Sequence, residues 1–234
     1  MTEGKLRESP EASRRAPAGG GPVFASGAEA ATMQEPHCRR APAAIDTADV
    51  KGLPMSTQRF VRSAREEDVD TIVGIQVAAW RDTYGSVLPE EVLAELTGEE
   101  AGQQFRHQWS EAIRRPPTSR HRVLVATDER LVVGFAAIGP AGDDDLWPAT
   151  DAEIYALHVH PEHVRRGHGA RLLNATVDHL VDDGFHTVST WTVAAPNALR
   201  SFVESSGWQP DGARREIDMG ATVSMIRLRA AIGE

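Results

Sequence analysis

Lysine is nearly absent from this 234-residue chain: Lys5 and Lys51 are the only two. A phosphate loop of the Walker type needs Gly-Lys-Ser/Thr, so residues 55–234, which contain no lysine, hold no such loop. Cysteine is scarcer still, with Cys38 alone. No disulfide can close within the chain, a usage that fits a reducing cytoplasm. Residues 55–234 therefore offer no thiol as nucleophile or metal ligand. Tyrosine occurs twice, at Tyr84 and Tyr155, so few phenols are available as proton donors. No run of 18 or more apolar residues occurs, and nothing reads as a membrane span. Positive charge is in deficit too: the formal net charge is −9, which disfavours non-specific nucleic-acid binding.

What is present divides at about residue 54. Residues 1–54 contain six of the fourteen prolines and the stretch APAGGGP, Ala16–Pro22. They carry seven acidic and seven basic residues and show no helical or strand period. That composition predicts a disordered tail, with Met33 or Met55 as alternative starts. It lacks the order of a signal peptide. The whole −9 then belongs to residues 55–234, enough chain for one α/β domain and short for two.

Along that domain, Gln58–Ala64 reads as a short strand. Val69, Ile72, Val73, Ile75, Val77, Ala78 and Trp80 follow at helical spacing. Pro89 opens a short helix in its first turn, and Glu99–Ile113 reads as another. Arg122–Asp128 and Leu131–Gly139 form a predicted hairpin across Glu129-Arg130. Ala152–His160 is a strand, and Gly169–Asp183 a helix with Leu172, Leu173, Thr176, Val177, Leu180 and Val181 on one face. Thr187–Val193 is a strand, and PNALRSFVESSG a helix ending at Gly207. Strands near Trp208–Ile217 and Thr222–Arg229 close the chain. The alternation predicts a single mixed α/β sheet domain.

The informative stretch is PEHVRRGHGARLL, Pro161–Leu173, between the strand Ala152–His160 and the helix after it. Glycines 167 and 169 strip side chains from a strand-to-helix turn. Backbone N–H groups there, at the positive end of a helix dipole, can hold phosphate oxygens, with Arg165 and Arg166 adding charge. A dinucleotide fingerprint would require Gly-x-Gly-x-x-Gly, which Gly167-His168-Gly169-Ala170 does not continue.

The stretch resembles the acyl-CoA loop of the GNAT N-acetyltransferase family, Gln/Arg-x-x-Gly-x-Gly/Ala behind a strand of the form Leu-x-Val. Leu157-His158-Val159 matches the strand ending and Gly167-His168-Gly169-Ala170 the glycine core, while Val164 departs from the Gln/Arg slot. The segment Asp68–Leu96 is similar to the family's opening helices. PNALRSFVESSGWQPDG is similar to its late helix signature. The resemblance implies a GNAT-like fold: a central mixed, mostly antiparallel, twisted sheet flanked by helices. It would be splayed at Leu157–Val159, with acetyl-CoA as co-substrate in the opening. It implies coenzyme contacts from Leu157, His158, Val159, Arg165, Arg166, Gly167, His168, Gly169, Ala170 and Asn197, and acceptor contacts from Trp80, Arg81 and Tyr84. Asn197 reads equally as a helix N-cap, and Trp80 as core.

The implied reaction moves an acetyl group to a primary amine of a small molecule or peptide, directly within a ternary complex. Glu153 matches the glutamate that many relatives use as general base. Where relatives carry a tyrosine that protonates the thiolate, this chain has Val203, which has no proton to give. Tyr155 shares the period-two face of Glu153, Leu157 and Val159 and is the candidate replacement, with a core role as the other reading. A non-catalytic acyl-CoA sensor is the alternative that Val203 motivates. His158, His160, His163 and His168 read as exposed imidazoles, with His168 near the phosphates, and no metal is expected. A cytoplasmic setting and a homodimer complete the expectations.

Overall fold

The computed structural model describes residues 59–233. The expected tail, with Met33, Cys38 and Met55, lies outside the described residues. The chain begins with β1 (Val61–Ser63), a 3-10 turn at Glu66–Asp68, and α1 (Val69–Tyr84). Asp68 is buried and accepts from the Arg65 N–H at 2.7 Å and from both terminal nitrogens of Arg62 at 2.6 and 2.8 Å. The acidic cluster expected to start the helix therefore fastens it onto β1. Next come α2 (Glu90–Leu96), α3 (Glu99–Arg114), β2 (Arg122–Asp128) and β3 (Leu131–Pro140). Pro89 stands one residue before α2, at its N-cap, rather than inside the first turn. After β4 (Asp151–Val159) come α4 (His168–Asp182), β5 (Thr187–Val193), α5 (Ala198–Ser205), β6 (Gln209–Asp218) and β7 (Thr222–Ala231).

The seven strands form one sheet in the order β1-β2-β3-β4-β5-β7-β6. Only β4 and β5 run parallel, and every other neighbouring pair is antiparallel. β2 alternates Val123 and Val125 toward α1 and α3 with Leu124 and Ala126 toward α4. A strand covered on both sides reads as an unbroken apolar run. One core layer packs Ile72, Phe105 and Trp109 against Phe135, with a buried Trp109 Nε1–H donating to Gln76 Oε1 at 2.6 Å. The other packs Leu172, Leu180 and Val203 against Ile154 and Leu228. Val181, expected on the inward face of α4, is exposed because the buried stripe narrows to Leu172, Leu173, Thr176 and Leu180. No helix among the described residues is long and apolar enough to cross a membrane.

Two irregularities position the site. β4 and β5 pair only from Asp151 with Thr187 to Glu153 with Ser189. At the closed end, Asp151 binds Thr187 Oγ1 and accepts from Arg229 at 2.5 Å. Thr190 Oγ1 still donates to Ile154 O at 3.0 Å, and beyond that the strands part. The second irregularity is a β-bulge. The register against β3 slips between Ala137, opposite Ala156, and Ile138, opposite Ile154.

Candidate active site

The bulge inserts an extra residue, Tyr155, and reverses the facing of everything after it. Ala152, Ile154 and Leu157 join the α4-side core, whereas Tyr155 and Ala156 join the α1-side core. Glu153, Tyr155, Leu157 and Val159 therefore do not share one face as the plain alternation predicted. Glu153 and Tyr155 do stay together, on the wall of one cavity. Gly139 makes room for the bulge: a Cβ there would come within 2.8 Å of the Tyr155 hydroxyl and 2.6 Å of His121 Cδ2.

Two hollows meet on this sheet. The first is a cleft lined by Leu157, His158 and Val159, by Arg165, Gly167, Gly169 and Ala170, and by Phe202 of α5. Arg165 and Gly167 both adopt left-handed backbone, with φ of 62° and 81°. The first backbone bond of α4 runs from Arg171 N–H to Gly167 O. The N–H groups of His168, Gly169 and Ala170 precede it, where a helix has no carbonyl to offer them. Such an arrangement can accept an anion. Only Gly167 needs glycine for its backbone angle; at Gly169 a Cβ would touch the Phe202 ring at 3.6 Å, an ordinary contact.

The second hollow, of about 550 Å³, is lined by Trp80, Tyr84, Phe105, Glu153, Tyr155, Trp191 and Arg215 among others. Thr83, Leu157, His158 and Leu199 line both hollows, so a ligand reaching along the cleft arrives beside Glu153. Glu153 is 7% exposed. Burial and the nearby Asp143 carboxylate push its pKa up to about 7, against the pull of Arg215, a Gly142 N–H and Arg227. His158 lies beside Phe135, and burial lowers its pKa to about 4, so it stays neutral near pH 7.

Several expected residues sit elsewhere. Arg81 lines neither hollow; it donates to Thr97 Oγ1 and Thr97 O at 3.1 and 3.0 Å, tying α1 to the end of α2. Arg166 is exposed and outside the cleft wall. Asn197 caps α5: its Oδ1 accepts from Arg200 N–H at 2.9 Å, and its Nδ2 donates to Val193 O and Ala195 O. The Tyr155 hydroxyl donates to Pro140 O at 2.5 Å, and burial holds its pKa above the usual phenol range. Val203 is fully buried, while α5 turns Ser201, Phe202 and Ser205 to the cleft.

His168 is not an exposed imidazole near the phosphates. It is buried beneath the loop, with Nε2 3.3 Å from Asp128 Oδ2 and Nδ1 2.7 Å from Arg171. His163 joins it, so that His163, His168 and Asp128 bring ligand atoms within 4.8 Å of one another. Arg59 pairs with the same carboxylate at 2.8 Å, and Arg171 adds its charge. Two guanidinium groups already balance Asp128, which disfavours a further cation there.

Arg215 was not singled out from the sequence, nor were Trp191 and Thr83. On β6 the inward residues alternate as Ala213, Arg215 and Ile217, a period visible in the sequence but without a known direction.

The profile of the Acetyltransferase (GNAT) family matches residues 78–208 of this chain. An uncharacterized N-acetyltransferase of Bacillus subtilis, YuaI, is 32% identical over 134 residues, 57% of this chain and 70% of the relative. The PaiA N-acetyltransferase of Thermoplasma acidophilum, solved with coenzyme A, superposes with a TM-score of 0.58 at 18% identity, covering 74% of this chain and 99% of that one. YncA of Salmonella typhimurium, a putative acetyltransferase solved with acetyl-CoA, gives 0.56 at 19% identity, covering 76% and 96%.

Proposed function

Because the chain belongs to the GNAT acetyltransferase family, we propose that it transfers an acetyl group from acetyl-CoA directly to a primary amine, with Glu153 as the proton acceptor. The carrying observation is the junction at Leu157 and His158 between a cleft with an anion cradle and a cavity holding a buried carboxylate. When bound, acetyl-CoA supplies an acyl group already activated as a thioester.

The rest falls to residues of this chain. N–H groups at the start of α4 hold the diphosphate, and Arg165 adds charge at the rim. The parted edge of β4 beyond Glu153 leaves backbone groups for the pantetheine arm to bond. An alkyl ammonium has a pKa of about 10.4 and must lose a proton before it can attack. A carboxylate with a pKa near 7 can take that proton near neutral pH, directly or through one water. Tyr155, with its hydroxyl committed to Pro140 O, acts as a positioning residue that holds the bulge and Glu153 in place. A cysteine-like thiol has a pKa of about 8.5, so a departing thiolate needs little acid help. The absence of a tyrosine at Val203 is therefore compatible with turnover.

Titration calorimetry with acetyl-CoA, paired with thiol release across a panel of amines, tests the proposal. Micromolar binding with amine-dependent release is expected. Binding with no release from any amine would instead favour an acyl-CoA sensor.

A further inference from the structure

The interior of the cavity beside Glu153 carries a second charge that the transfer of an acetyl group does not require. Arg215 reaches in from β6 and lies over the face of Trp191, its guanidinium carbon 4.1 Å from the ring centroid. Stacking fixes the plane of the guanidinium and leaves its edge free to donate. Its Nε is buried with no hydrogen-bond partner among the described residues. Among the described residues, the one carboxylate within 4.0 Å is Asp143, at that limit. Asp143 is already held by Arg227 at 2.9 Å and by Trp191 Nε1–H at 2.9 Å. Arg227 has three acids, Asp143, Asp145 and Asp211, within 2.9 Å; Arg215 has no such set.

The Arg215 side chain is 32% exposed, so its terminal nitrogens stay open to a ligand, and a carboxylate that takes the place of water on them gains charge-assisted hydrogen bonds. The other acids on the wall, Glu95 and Asp218, are exposed, so among the described residues the wall sets one buried acid, Glu153, against one cation, Arg215. Trp80, Phe105, Met219 and Met225 supply apolar wall between and around them. We infer that the acceptor is an amino acid-like molecule: a primary amine that also bears a carboxylate, bound by the Arg215 fork, with an apolar body against Trp80 and Phe105. This rests on the transferase reading above, in which the amine lies at Glu153.

Two measurements separate this inference from that reading. The first is binding of 3-phenylpropionate, a carboxylate with no amine, to the CoA-loaded protein by calorimetry. Arg215→Gln is expected to weaken it about 10- to 100-fold, the size of a lost charge-assisted hydrogen bond, and Arg215→Lys to weaken it less. The second is turnover of phenylalanine against 2-phenylethylamine, which lacks only the carboxylate. The wild type is expected to prefer phenylalanine. Compared above pH 8, where Glu153 is ionised with or without the Arg215 charge, Arg215→Gln is expected to raise KM for phenylalanine by a similar factor and to leave KM for 2-phenylethylamine within a few-fold. Thermal unfolding of each variant shows whether it folds, and Arg215→Lys carries the test if Arg215→Gln does not. An equal rise in KM for both amines, or a wild type that favours the amine without a carboxylate, overturns the inference and leaves the transferase reading intact. Carboxylate binding that depends on Arg215, with no turnover of any amine, keeps the anion site and removes the transferase reading.

Discussion

With Glu153 as the proposed proton acceptor, the rate should depend on pH with a definite sign. Its carboxyl is raised to about 7 by burial, first, and by Asp143. The base form exists above that pH, so kcat/KM should climb as pH rises through about 7. Glu153→Gln should remove the climb and lower the rate about 10²- to 10⁴-fold while acetyl-CoA still binds. Stability runs the other way. A carboxyl whose folded pKa lies above its ordinary 4.5 holds its proton more tightly when folded. Its contribution is fully present below 4.5 and is lost as pH rises toward 7, a change of about 3 kcal/mol by the usual conversion. Glu153→Gln should therefore raise the melting temperature above pH 7 and change it little at pH 4. A melting temperature that falls at pH 8 would show the carboxylate to be structurally supported rather than strained. Gly167 is the other decisive residue. At φ 81°, Gly167→Val forces a β-branched side chain into left-handed backbone, and coenzyme affinity should fall together with the N–H cradle.

Among the elements, β4 and α5 carry the testable consequences. The β4 bulge depends on the space at Gly139, so Gly139→Val should displace Tyr155 and depress turnover more than coenzyme binding. Asn197 caps α5 through its Oδ1. Asn197→Ala should cost about 0.5–2 kcal/mol in urea unfolding, and Asn197→Asp, which keeps the capping oxygen but loses the Nδ2 bonds to Val193 O and Ala195 O, should recover part of that stability and retain coenzyme affinity. Were Asn197 a coenzyme contact through its amide nitrogen, the folded aspartate variant would lose coenzyme affinity. Most element identities were legible in the sequence because period and punctuation are local. Arg122–Asp128 and Thr187–Val193 are strands with the expected bounds. The bulge was not legible: no residue type in AEIYALHV marks it, and it arises from the register against β3.

The whole molecule places β7 between β5 and β6, and this insertion builds the charged wall of the cavity beside Glu153. Arg227 on β7 gathers Asp143 and Asp145 from the β3–β4 connection and Asp211 from β6. Arg227→Met should destabilise the fold by about 1–3 kcal/mol, since Asp143 loses its close cation. It should also move the rise in rate to higher pH, because an uncompensated Asp143 further disfavours ionised Glu153. The sequence by itself determined the class of the site. A strand ending in Leu157-His158-Val159, a left-handed Gly167 and a following helix make, from neighbours in the chain, a loop that can accept an anion, and that loop lies where the motif put it. Seven of the ten expected coenzyme residues line the cleft, and Arg166, His168 and Asn197 do not. Only the tertiary structure decided what surrounds Glu153. Asp143, Arg215 and Arg227 are brought there by strand order and register, which depend on pairings between distant segments, and no local period encodes which strand becomes whose neighbour.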